Sequence, residues 1–340
     1  MKIGLFYGGR SYEREISVIT AIQLQEHTPE DYELIPIYID KDGLTVLKDF
    51  KDYKAYQNVK GKKTEFINGG VKVGSKKIKL DCALVVTHGG NGEDGRLSAT
   101  LDFYKIPYTC CDHYSAAVCM DKLITKSMLN TFGFKTAKSL EEPTFPCIIK
   151  PRRLGSSIGV KVARDQKEYK DGIEFASYFD APLVEEYLEN VVELNCAAVK
   201  SKDEIIVSAV EKPNTLGDIL NFDDKYVNNN GRVLPADIGE ELTEKIRQTT
   251  SLIYQKLGLF GVVRIDYMLN KDNELLVNEI NAIPGSMAFY LFEPLGISYR
   301  KLITILVEEG IKRNIEKIPI FNSDVLNKYA EGYFGVKGKN

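Results

Sequence analysis

Short apolar runs and polar turns alternate along the opening of the chain, and the glycines fall at the junctions. Lys2–Tyr7 (KIGLFY) is an apolar run closed by Gly8-Gly9, and Ile16, Ile19 and Ile22 then recur at three-residue steps, which predicts a helix. Glu33–Asp40 (ELIPIYID) and Cys82–Thr87 (CALVVT) read as further buried strands, each followed by a polar turn. The first hundred or so residues therefore predict an open α/β domain. From Phe145 the rhythm changes to strands joined by short loops: Cys147–Lys150 and Val160–Ala163 flank a Gly-Ser-Ser-Ile-Gly turn. Leu242–Leu257 puts Leu242, Ile246, Thr249, Ile253 and Leu257 on one helical face, with Gly258 placed to end it. Val262–Asn281 reads as two alternating strands around the turn Asn270–Asn273, and the asparagine-rich Tyr226–Gly231 reads as a mobile loop. No internal repeat or low-complexity tract interrupts this order.

Composition narrows the class. A chain of 340 residues exceeds one ordinary core and fits two or three domains. A hydrophobic fraction of 44% with 27% charged residues is that of a globular protein. A formal net charge of -3 and a pI near 5.9 exclude the basic footprint of a nucleic-acid binder. The six cysteines contain no CxxC pair and sit in apolar surroundings, as reduced core residues do. The N-terminal apolar run is too short for a signal peptide, and no stretch of about 18 apolar residues suggests a membrane span. The expected location is the cytoplasm, with no membrane partner.

Three constellations carry candidate chemistry. Gly90-Asn91-Gly92-Glu93-Asp94-Gly95 satisfies GxGxxG after a strand and before a helix predicted over Arg96–Tyr104, and Asp112 follows at roughly the distance of a ribose-binding acid. Yet Glu93 and Asp94 would set two carboxylates where a pyrophosphate should lie, so a nicotinamide enzyme is only a remote alternative. Lys150-Pro151 followed by Gly155–Gly159 combines exposed NH groups, two hydroxyls and an ammonium, which suits a nucleotide phosphate without being a Walker A loop. Arg264-Ile265-Asp266 and Asn278-Glu279-Ile280-Asn281 lie on successive strands, and period-two alternation puts Arg264 with Asp266, and Glu279 with Asn281, on single faces. If those faces coincide, two carboxylates and an amide oxygen converge as hard ligands suited to Mg²⁺ held with phosphates. Lys122 and Lys225 add cations near these motifs, while His27, His88 and His113 have no metal-ligand spacing.

Taken in order, Gly8-Gly9 with Ser11–Ser17 (SYEREIS), His88–Gly95 (HGGNGEDG), Met120-Asp121-Lys122, Lys150-Pro151, Gly155–Gly159, Lys225-Tyr226, Arg264-Ile265-Asp266 and Asn278–Gly285 (NEINAIPG) resemble the D-alanine:D-alanine ligase family of the ATP-grasp superfamily, from Lys2 to about Leu306. The resemblance implies an α/β (α+β) ATP-grasp fold of three domains: an N-terminal open α/β domain (1–112) and two α+β subdomains (113–184 and 185–340) clasping ATP. It further implies that ATP contacts Lys122, Lys150, Ser157, Glu185, Glu193 and Lys225. Asp266, Glu279 and Asn281 would hold two Mg²⁺ ions, for which Mn²⁺ substitutes. Arg264 and the NH of Gly285 would stabilise an oxyanion, and Glu13, linked to Ser156 and Tyr226, would receive the first amino acid's amino group. His88, Tyr290 and Leu291 would face substrate. The implied reaction joins two D-alanines through an acyl phosphate for peptidoglycan precursors, with amino acids and ATP as partners and a homodimer left open.

The sequence also departs from the family. After Pro284-Gly285 the family carries a Ser-Leu or Ser-Met pair that holds the second substrate's carboxylate, but counting from Gly285 puts Tyr290 at the serine position. The segment Glu211–Asp224 lacks the usual Tyr-Asp-Tyr pattern. A ligase with a different acceptor amino acid, and a nucleotide-binding protein without ligase activity, are the competing readings.

Overall fold

The computed structural model describes residues 1–47, 50–56, 59–214, 231–313 and 323–331. A seven-stranded sheet comes from the first part of the chain, with Lys2–Gly8 pairing in parallel with Glu33–Asp40 on one side and Cys82–Val85 on the other. These strands were legible because both faces of each are covered, so they read as continuous apolar runs. Four antiparallel strands, Gly43–Leu47, Gly61–Ile67, Gly70–Val73 and Lys76–Lys79, extend the sheet beyond Glu33–Asp40. The outermost, KKIK, is mostly lysine, as an exposed sheet edge requires, and so it gave no apolar signal.

The predicted first helix is Arg14–His27, but its inward face is not the isoleucine stripe. Ser17, Val18, Thr20, Ala21 and Leu24 are buried, whereas Ile19 is 49% exposed. The two small polar residues turn inward because they have partners there: Ser17 Oγ accepts from the NH of Gly8 at 2.8 Å and donates to the carbonyl of Val86 at 2.7 Å.

A three-stranded antiparallel sheet, Pro182–Glu186, Cys147–Pro151 and Lys161–Ala163, is covered by helix Gln166–Ser177, whose cap Asp165 accepts from the NH groups of Lys167 and Glu168. A four-stranded antiparallel sheet follows, ordered Glu204–Val207, Val192–Ser201, Val262–Leu269, Leu275–Asn281. Helix Glu240–Lys256 backs it, and Gly258, at φ 60°, follows its last turn as predicted. Its buried residues are Ile246, Thr250, Ile253 and Tyr254, so Thr250 rather than Thr249 faces the core, where its hydroxyl meets that of Tyr267 at 2.7 Å. Helix Tyr299–Lys312 returns to the first sheet: Leu302, Ile303 and Leu306 share one apolar cluster with Ile3, Leu5 and Leu84. All six cysteines are buried and free of disulfides.

Candidate active site

A cleft opens between the three-stranded and four-stranded sheets. Lys122, Lys150, Ser157, Glu185 and Glu193 line it, with Asp266 and Glu279 on the facing hairpin and Ala137, Ile148, Val160, Leu188, Val191 and Met268 as apolar wall. An apolar wall edged by lysines suits a purine with its phosphates. Lys225 and Tyr226 lie outside the described residues.

Local sequence explains where the lysines point. Asp121 caps helix Lys122–Thr131, accepting from the NH groups of Leu123 and Ile124, and also takes the guanidinium of Arg152 at 3.1 and 2.6 Å. That ties the helix start to the glycine loop, and Lys122 donates to the carbonyl of Leu154 at the mouth of the same loop. One helical turn on, Lys126 meets Glu185 Oε1 at 2.6 Å while Lys150 meets Oε2 at 2.7 Å. All three groups are buried. Burial would raise the Glu185 carboxyl, but Lys150 and then Lys126 outweigh it and hold the group below the usual glutamate range. Burial pulls the Lys126 ammonium down to about 8, against the attraction of Glu185. Lys126 escaped the sequence reading. Its signal was position, since it occupies the buried stripe Thr125, Lys126, Leu129 where an apolar residue belongs.

The two faces of the predicted hairpin coincide. Arg264 pairs with Asn281 and Asp266 with Glu279 across the strands, while Ile265 and Ile280 fill the core behind. A register shift after Asp266 is the kind of bulge that re-aims side chains beside a site. Arg264 forks onto Asp266 at 2.6 and 2.9 Å, and the Asn281 amide donates to Asp266 at 3.1 Å. Among the described residues no three His, Cys, Asp or Glu side chains form a ready cage for an ion. Two carboxylates and an amide oxygen on one sheet face nevertheless fit Mg²⁺, which takes few protein ligands and completes its shell with phosphate and water.

A smaller cavity shares Lys122, Leu154 and Glu279 with the cleft and reaches Glu13 and Asn281. Ser156 Oγ donates to the buried carboxylate of Glu13. Glycines make room for that carboxylate: a Cβ on Gly89 would lie 2.5 Å from Glu13 Oε2 and one on Gly155 3.2 Å away. The apparent dinucleotide fingerprint is protein-facing. Glu93 accepts from the NH of Gly89 at 2.9 Å and of Ile283 at 3.0 Å, so its carboxylate ties the turn to the protein, and burial followed by the charge of Glu13 raises its carboxyl to about 7. Asp112 likewise caps helix His113–Met120 instead of meeting a ribose.

The model of the D-ala D-ala ligase N-terminus matches residues 2–111, and that of the D-ala D-ala ligase C-terminus matches residues 121–308. The chain belongs to the D-alanine–D-alanine ligase family. It is 34% identical to the D-alanine–D-alanine ligase of Thermosipho melanesiensis, over 93% of this chain and 95% of that one. Among solved structures it superposes on the VanG D-Ala:D-Ser ligase of Enterococcus faecalis with a TM-score of 0.81 at 27% identity, covering 91% of this chain and 99% of that one. The D-alanine–D-alanine ligase of Helicobacter pylori gives 0.78 at 26% identity, over 91% and 98%. The fold is thus the ATP-grasp architecture expected, and the chain is a ligase.

Against the family pattern, the remaining expected substrate residues divide. His88 is buried with both ring nitrogens engaged, Nδ1 at 2.7 Å from the carbonyl of Ile283 and Nε2 at 3.0 Å from Thr20 Oγ1. Because a carbonyl only accepts, Nδ1 carries the proton, Nε2 accepts from Thr20, and Thr20 in turn accepts from the NH of Ser286 at 3.1 Å. His88 therefore aims the turn beyond Gly285. That turn runs through left-handed conformations at Ser286, Met287 and Ala288. The Leu291 side chain is buried in the first core. Tyr290 is held by Glu211 and Arg232: its hydroxyl donates to buried Glu211 at 3.0 Å, and the guanidinium of Arg232 lies 4.1 Å above its ring. Burial and then Glu211 raise the Tyr290 pKa. Sequence reasoning missed Glu211, whose carboxylate also accepts from Asn195 at 3.1 Å.

Proposed function

We propose that the chain phosphorylates one D-alanine with ATP and joins it to a second, giving D-alanyl-D-alanine for peptidoglycan precursors in the cytoplasm. The observation that carries this reading is the shared border of the two cavities: Lys122 and Glu279 line both the purine-sized cleft and the pocket of Glu13. A carboxylate held near Glu13 therefore faces the phosphate end of the cleft. An oxygen of that carboxylate attacks the γ-phosphorus, the bond to the β-phosphate oxygen breaks, and ADP leaves. The amine of the second amino acid then attacks the acyl carbon, loses a proton, and expels inorganic phosphate.

Glu13, oriented by Ser156, receives the first ammonium. Lys122, Lys150, Ser157, Glu185 and Glu193 hold the nucleotide. Arg264 and the NH of Gly285 stabilise the oxyanion at the acyl carbon, which requires Arg264 to leave its fork on Asp266. Asp266, Glu279 and Asn281 would hold Mg²⁺ or Mn²⁺, whose charge screens the triphosphate from the incoming carboxylate. Lys225 is assigned to the transferred phosphate, and Tyr226 to the group of Glu13 and Ser156. Burial of the site keeps water from the acyl phosphate.

Phosphate release with ATP, Mg²⁺ and D- and L-amino acids, singly and in pairs, tests the reading. D-Alanine alone should release phosphate and yield the dipeptide. Release that requires another amino acid beside D-alanine would replace the acceptor, a second reading that the Tyr290–Glu211 contact favours.

A further inference from the structure

Lys126 does not line the cleft. It stands behind Glu185, with only 3% of its surface exposed, and its ammonium is shared between the Glu185 carboxylate at 2.6 Å and the carbonyl of Ala137 at 3.0 Å. Glu185, 1% exposed, has its second oxygen 2.7 Å from Lys150, which does line the cleft. The buried group is therefore two cations around one anion. Were Lys126 absent, Glu185 would cancel the charge of Lys150. With it present, one positive charge remains, and only Lys150 can present that charge to a ligand.

We propose that Lys126 is a positioning residue for nucleotide binding: by neutralising Glu185 it leaves the charge of Lys150 to the phosphates. The inference rests on the reading of the cleft as a nucleotide site. It is distinct from a staple that only holds helix Lys122–Thr131 to strand Pro182–Glu186, because a staple would affect every ligand of the cleft equally. A charge effect falls on phosphates alone.

Calorimetric titration of the full chain with ADP and with adenosine separates these cases. Lys126→Met should weaken ADP about tenfold or more while adenosine changes by less than about threefold. Lys126→Gln, which keeps a donor for Ala137 without the charge, should behave the same way and covers the case in which the methionine variant folds poorly. Lys126→Arg should retain ADP affinity. Removing the anion as well, in Lys126→Met/Glu185→Gln, returns the group to one positive charge, so the ratio of ADP to adenosine affinity should recover. An unchanged ADP affinity in the uncharged variants, an equal loss for both ligands, or a double variant no better than the single one would each overturn the role of Lys126. Wild-type protein that binds neither ligand would instead overturn the nucleotide reading beneath it.

Discussion

Ser156 donates to the carboxylate of Glu13 from 143 positions further along the chain, so the glycine loop of the second sheet closes onto the first. Both serines of that loop adopt left-handed backbone, Ser156 at φ 55° and Ser157 at 56°, and such conformations cost on the order of 1–3 kcal/mol each. Ser156→Ala keeps the backbone demand and removes the bond. Steady-state kinetics should show the Michaelis constant of the first amino acid rising about tenfold, with that of ATP within about threefold. Equal changes in both would mean that the Ser156–Glu13 bond has no specific role towards the first amino acid.

Asp266 has two duties. It is a candidate metal ligand, and it is the counter-ion of partly buried Arg264. Asp266→Asn should therefore remove turnover and also destabilise the fold by about 1–2 kcal/mol, since losing the carboxylate leaves a partly buried guanidinium without its counter-charge. Glu279→Gln should abolish turnover with a smaller loss of stability. Thermal unfolding beside phosphate-release assays at saturating Mg²⁺ reads both, and either variant retaining turnover within about tenfold of wild type would remove that residue from the metal site.

At the acceptor side, Tyr290→Ser restores the family's small hydroxyl and frees Glu211 from its tyrosine. The Michaelis constant for the second amino acid should change by about tenfold, roughly 1.4 kcal/mol, while that for ATP stays nearly constant. An equal effect on both constants, or none, would make Tyr290 a packing residue.

Burial, aided by the charge of Arg264 and opposed by the bond to Ile283, lowers the His88 pKa from 6.5 to about 4. A group depressed in the folded state stabilises above its unfolded pKa, so this contribution is complete above about pH 6.5 and is lost as pH falls towards 4, amounting to about 3 kcal/mol. Glu93, raised from 4.5 to about 7, works in the opposite sense: its share is complete below about pH 4.5 and is lost as pH rises through 7. Nitrogen-resolved NMR of the histidines isolates the first effect. The His88 ring should keep its neutral, Nδ1-protonated form down to about pH 4, and titration near 6.5 would contradict the buried chain from Ile283 to Ser286.

The sequence by itself determined the parallel strands of the first sheet, the hairpin Val262–Asn281 and the family. Alternation placed Arg264, Asp266, Glu279 and Asn281 on two faces, and the pairing of Asp266 with Glu279 made those faces one. Short motifs carry such information because period-two geometry and glycine turns are local. Tertiary structure alone decided what each polar group answers to. Nothing near Lys126 in the chain announces Glu185, and nothing near Glu93 announces the NH of Ile283, 190 positions away. It also decided that Ser17 and Thr20 face inward while Ile19 does not, and that Leu302 and Leu306 complete the core begun by Ile3 and Leu5. A buried polar group must find its partner in space, and folding brings that partner from any distance along the chain.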